Sequence, residues 1–152
     1  MTNERDALRP AFLEATYGTR EERFVLGEAP DGTLSWAPPG VRWAVVTGWN
    51  AGARRQSAKS NALRDAHLRR VLTGSVGTVR RGWNGEGDWE EASWIVVGAG
   101  LRETLAWGSR FEQAAVLWSV GRRAALVWCG APPGARAVRV ERYWVRRVGH
   151  ED

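Results

Sequence analysis

The sequence predicts an α+β fold, a single two-layer domain with three helices packed on a mainly antiparallel or mixed sheet of about six to seven strands. Short apolar runs rich in β-favouring residues recur along the chain, closed by Gly or Pro. The elements come in the order helix, strand, strand, helix, strand, strand, helix and then three strands. The clearest stretch, Trp43 to Leu72, reads as a buried strand, a Gly-containing turn and an amphipathic helix.

Residues 1–8 read as a flexible polar lead-in, 9–148 as the domain and 149–152 as a tail. A short first helix follows the lead-in, with Pro10 in its first turn, Gly18 as its stop and Phe12, Leu13 and Ala15 available to pack. Arg23 to Glu28 reads as a strand and Ala29 to Gly40, punctuated by Pro and Gly, as a loop. Trp43, Ala44, Val45 and Val46 form the next strand, closed by Gly48. Ser57 is placed as N-cap of a helix whose stripe is Ala58, Ala62, Leu63 and Ala66. Val76 to Arg81 is a third strand. Gly82 to Glu91 is a Gly-rich loop with four acids, and Ser93 to Gly98, apolar on both faces, is a central strand. Leu101 to Arg110 is a helix with Leu101, Leu105 and Ala106 inward. Ala114 to Ser119 and Arg123 to Cys129 form a hairpin about Gly121, and Ala131 to Ala135 is a turn. Arg136 to Arg147 is the last strand, its arginines reading as the charged guard of a sheet edge.

Composition narrows the function classes. At 152 residues the chain is one domain, with 43% hydrophobic and 26% charged residues, a globular balance. It is Trp-rich, with ten such residues, and basic, with a net charge of +5. Residues 41–85 hold nine basic groups and one acid, so an anionic partner is drawn to the middle of the chain. No apolar run approaches the roughly 20 residues that span a bilayer, and the first residues lack the basic and apolar regions of a signal peptide. A cytoplasmic protein without a membrane partner is expected. The single Cys129 excludes an internal disulfide and a Cys-based metal cluster, and it reads as a buried, inert thiol. Asn84, Glu86, Asp88 and Glu90 alternate as in a calcium loop, but Trp89 stands where Gly is required and Ile95 where a carboxylate must ligate. No metal and no cofactor are expected.

The turn from Thr47 to Ser57 leads into a helix start, where free N–H groups and partial positive charge favour an anion, and Arg54 and Arg55 would assist. Gly48 and Gly52 do not have phosphate-loop spacing, so the same turn also reads as a solvated connection with a capping serine.

Thr47, Trp49 and Asn50 at a strand end, Asn61 in the helix, Glu91 and Ser93 entering the next strand, and Phe111 and Gln113 before the following one together carry a resemblance. Over about Phe12 to Trp128 the chain resembles an uncharacterised bacterial family, domain of unknown function 3293. In that family the Thr47-Trp49-Asn50 motif often continues into proline, where this chain has Ala51. The resemblance implies no activity. It implies polar residues at element ends that an antiparallel sheet can bring to one edge.

Three readings follow. The first is a domain that binds a small polar or phosphorylated ligand near the turn between strand 43–47 and helix 57–72, using Thr47, Trp49, Asn50, Arg54, Arg55, Ser57, Asn61, Glu91, Ser93 and Gln113. The bland alternative is that these side chains satisfy local backbone groups. The second is a nucleic-acid module in which Arg139, Arg142, Arg146, Tyr143 and Trp144 form a basic aromatic stripe. The third is a hydrolase-like enzyme with Glu91 and Asp88 as acid and base, Glu91 having a carboxyl pKa raised by its tryptophan neighbours. Ser57 and His67, ten residues apart on one helix, cannot pair as nucleophile and base.

Overall fold

A computed structural model describes residues 4–75, 77–130 and 139–149. In chain order the elements are α1 (Glu4–Glu14), β1 (Tyr17–Gly18), β2 (Arg23–Gly27), β3 (Arg42–Val46), α2 (Ala58–Thr73), β4 (Thr78–Asn84), β5 (Glu91–Val97), α3 (Leu101–Arg110), β6 (Ala115–Val120), β7 (Arg123–Trp128) and β8 (Val140–Val148). The α+β class holds. The strand count becomes eight, the addition being β1, two residues long and too short to show a period. The expected turn at Ala131 to Ala135, the start of the third strand at Val76, residues 136–138 of the last strand and residues 150–152 of the tail lie outside the described residues.

All eight strands pair antiparallel in one sheet, ordered β1-β2-β8-β7-β6-β3-β5-β4. The sheet curls until its two edge strands nearly meet, so that the antiparallel sheet forms a nearly closed barrel. The Gly85 N–H donates to the Thr16 carbonyl at 2.7 Å. The Arg23 guanidinium donates to the carbonyls of Trp83 at 2.8 Å and Gly85 at 3.2 Å.

Strand alternation then divides the core. Trp43, Val45, Ile95, Leu117, Leu126 and Val145 point into the barrel with Phe24 and Trp128, while Ala44, Val46, Trp94, Val96, Val116 and Val127 point outward beneath α2 and α3. β3 and β5 are apolar on both faces because both faces are covered. The hairpin turns at Gly121, which has φ of 56°. Gly48 lies where a Cβ would be 3.0 Å from the Arg64 carbonyl oxygen, so glycine there lets α2 approach the exit of β3. Arg81 clamps the same helix, pairing in two bonds of 2.8 Å with Asp65 and lying 3.7 Å from the Trp94 ring.

Four expectations are corrected. α1 starts at Glu4, so residues 4–8 are helical and Pro10 lies in mid-helix. On α2 the buried stripe is Asn61, Leu68 and Leu72, and Leu63 is 63% exposed. Apolarity alone misplaced that stripe, because the helix faces the sheet through a polar residue, Asn61, that hydrogen bonds there. On α3 the buried residues are Thr104, Trp107 and Gly108, with Ala106 exposed. Finally, β8 is not an edge strand but lies between β2 and β7, and the edges are β1 and β4. Its exposed Arg142 and Arg146 stand on the outer sheet face.

Candidate functional site

The exit of β3, the end of β4, the entries of β5 and β6, the first turn of α2 and one side of α1 enclose a cavity of about 900 Å3 at one end of the barrel. α1 supplies its wall through Leu8, Ala11 and Phe12, with Ala15 just beyond the helix end completing the helical spacing. That helix is fastened by Arg9, whose Nε donates to Glu141 at 2.6 Å, and by Phe12, edge-on to Trp128 at 5.6 Å. The Glu141 carboxylate also accepts the Trp128 indole N–H at 2.6 Å and the Tyr143 hydroxyl at 3.0 Å. Burial works to raise its pKa, yet the bonds from Trp128, Arg9 and Tyr143 together bring it below the usual carboxylate value.

The polar side of the cavity is built on the turn after β3. The Thr47 hydroxyl donates to the Ala92 carbonyl at 2.7 Å and accepts the Trp49 N–H at 3.0 Å, tying the β3 exit to β5. Asn50 has φ of 50°, followed by Gly52 at 72° and Ala53 at 58°. A left-handed conformation is tolerable for Asn and Gly but costs about 1–2 kcal/mol at Ala. The surroundings enforce it. The Asn50 N–H donates to Asn61 Oδ1 at 2.8 Å, Asn50 Oδ1 accepts the Gln56 N–H at 2.9 Å and Asn61 Nδ2 at 3.2 Å, and the Gly52 N–H donates to the Glu112 carbonyl at 2.8 Å. Gln113 Nε2 braces the far side, donating to the Trp49 carbonyl at 3.0 Å. Ala51 opens a short 3-10 turn, and the φ of such a turn suits the proline that is common at this place in the resembling family.

Glu91 is the ionisable group within. It shares the inward face of β5 with Ser93 and Ile95, and its Oε1 accepts Asn50 Nδ2 at 3.3 Å. Its other oxygen has no hydrogen-bond partner among the described residues. Burial pushes the Glu91 pKa upward, with the Asn50 bond opposing in part. The Tyr17 phenol is pushed far up by its own burial and by the Glu91 charge, and it donates to the Phe12 carbonyl at 2.7 Å. At the mouth, Arg55 lies 5.2 Å over the ring of Trp89, which is 75% exposed, while Arg54 is exposed and has no ion-pair partner among the described residues.

Of the ten residues expected at a ligand site, Thr47, Trp49, Asn50, Arg54, Arg55, Asn61, Glu91 and Gln113 line this one cavity. Ser57 does not; it caps α2, accepting the Ser60 N–H at 3.1 Å. Ser93 is fully buried one pleat deeper, its hydroxyl without a partner among the described residues. Asp88 is on the exposed rim, and no hydrogen bond joins it to Glu91 among the described residues. Sequence reasoning missed Tyr17, Asn84 and the α1 wall as parts of the site. Only the (i, i+3, i+4, i+7) spacing of Leu8, Ala11, Phe12 and Ala15 hinted at a covering face.

The stripe proposed on the last strand divides in two. Arg142, Trp144 and Arg146 alternate along the outer face of β8, and Arg123 of β7 stacks 4.8 Å over Trp144. Tyr143 faces inward, bonded to Glu141 and Arg9. Arg139, next to the strand, is exposed.

Residues 46–116 match the family described as Protein of unknown function (DUF3293). The match is narrower than the resemblance read from Phe12 to Trp128. The matched segment holds Thr47, Trp49, Asn50, Asn61, Glu91 and Gln113, the polar side of the cavity, whereas α1, which walls the other side, precedes it. No curated protein matches the chain. No helix among the described residues is long and apolar enough to cross a membrane.

Proposed function

We propose that this chain binds a small polar ligand in the barrel-end cavity, its apolar body against α1 and its polar end toward Glu91 and the Asn50–Asn61 pair. The observation that carries the reading is that eight polar or aromatic residues from three separate segments converge on one cavity of about 900 Å3, a size suited to a small molecule. The amides of Asn50, Asn61 and Gln113 are mostly committed to shaping the turn, which leaves the free Glu91 oxygen as the group that orients a ligand. A phosphorylated ligand fits with its phosphate outward, toward Arg54 and Arg55. A raised Glu91 pKa also suits a general acid, but Asp88 on the rim gives that acid no adjoining base.

The test is a thermal-shift and tryptophan-fluorescence titration with small polar and phosphorylated metabolites, run on the native chain and on Ala11→Trp. Ala11 is exposed on α1 and lines the cavity, so a tryptophan there fills space without disturbing the core. The expected result is that a ligand raises the melting temperature of the native chain and not of the variant, with equal melting temperatures in its absence. Equal ligand shifts in both would remove the reading.

A second reading is favoured by the outer sheet face, where Arg123, Arg142 and Arg146 flank Trp144 and no helix among the described residues covers β8. Guanidiniums around a ring suit a single nucleic-acid strand, phosphates on the arginines and a base on the indole. Oligonucleotide binding that falls steeply with salt and is lost in Trp144→Ala supports it, and no binding at low ionic strength excludes it.

A further inference from the structure

Resting on the ligand-binding reading above, we infer that the cavity takes an organic cation, an amine on an alkyl or aryl body, with its ammonium held by Glu91. Charge points this way. The whole chain carries +5, yet the cavity is lined by five carboxylates, Glu14, Glu86, Asp88, Glu90 and Glu91, against two guanidiniums, Arg54 and Arg55. A negative pocket in a positive protein focuses field lines and concentrates cations at its mouth. Of the five, Glu90 is neutralised by Arg20 at 2.8 Å. Glu14, Asp88 and Glu91 have no ion-pair partner among the described residues, whereas both guanidiniums are exposed at the mouth, Arg55 being held there over the Trp89 ring and by the Asp88 carbonyl.

The depth of Glu91 strengthens the argument. A desolvated carboxylate with one hydrogen bond of 3.3 Å is an unfavourable arrangement that an entering ammonium relieves, because opposite charges attract more strongly away from water. An anionic ligand end would meet repulsion there. Phe12, Tyr17, Trp49 and Trp89 also line the cavity, and ring faces attract ammonium groups. The apolar stripe on α1 suits the body that carries the charge.

The test uses matched probes on the full chain: 2-phenylethylamine, the neutral 2-phenylethanol and the anionic 3-phenylpropionate, with butylamine and hexylamine as alkyl counterparts, all by calorimetric titration. The amines are expected to bind about tenfold or more tighter than the alcohol, and the carboxylate not at all. Glu91→Gln keeps the shape and the Asn50 contact, and it should bring the amine down to the level of the alcohol. In the native chain amine affinity should decline as pH falls through the raised Glu91 titration, where the carboxylate takes a proton and its charge is lost. Should Glu91→Gln fail to fold, Glu14→Gln combined with Asp88→Asn, both at exposed positions, should weaken the amine several-fold and leave the alcohol unchanged. Equal binding of alcohol and amine, or tighter binding of the carboxylate, overturns the cation inference while the cavity remains a ligand site. Silence of all five probes, together with no response in the metabolite titration, overturns both.

Discussion

Trp43→Ala should destabilise the domain by about 3–5 kcal/mol, enough to remove most of the stability of an ordinary small domain. Trp43 is fully buried inside the barrel, edge-on to Phe24 at 5.4 Å and to Trp36 at 6.3 Å. Its indole N–H donates to the Gly121 carbonyl at 2.9 Å, so the ring also anchors the β6–β7 turn. Truncation leaves a large void in a curved sheet that cannot collapse without breaking register, and it strands that carbonyl. Urea unfolding followed by far-ultraviolet circular dichroism measures the loss. Trp43→Phe should cost less, since it keeps most of the volume and loses the hydrogen bond. Trp89→Ala, at an exposed position, should stay within about 0.5 kcal/mol of the native chain. A Trp43→Ala loss no larger than that of Trp89→Ala would show that the barrel interior is not packed as described.

Asn61→Ala should cost about 1–3 kcal/mol and loosen the ligand cavity at the same time. Asn61 is 4% exposed on α2, accepts the Asn50 N–H at 2.8 Å and donates to Asn50 Oδ1 at 3.2 Å. Removing it leaves the Asn50 amide unpaired in a turn already held in the left-handed region. Hydrogen exchange at the Asn50 amide should speed up more than at Ala44 in the middle of β3, which separates local opening from global unfolding. Asn61→Asp keeps the acceptor and should retain more of that protection. Unchanged Asn50 exchange in Asn61→Ala would mean that the turn is held by other contacts.

Much of this was legible locally. The Ser57 cap and the extents of α2 and α3 follow from capping and helical spacing, and β3 and β5 announce themselves as runs apolar on both faces. The polar residues of the site were legible too, because Thr47, Asn50, Glu91 and Gln113 fall at strand ends and antiparallel strands bring alternate ends together. Their resemblance to a family that residues 46–116 match rests on the same positions. The faces of α2 and α3 were less legible. Burial of Asn61 and Thr104 depends on what lies opposite them, and apolarity alone points to Leu63 and Ala106 instead.

By itself the sequence determined the class, the main elements and the chemistry available at their ends, since these depend on residues a few positions apart. Only the tertiary structure decided that the sheet curls into a near-barrel, that β8 runs between β2 and β7, and that α1 walls the cavity. Those outcomes rest on contacts such as Gly85 with Thr16 and Arg9 with Glu141, separated by much of the chain. No local period records such pairings, because each partner is an ordinary surface residue until the other arrives.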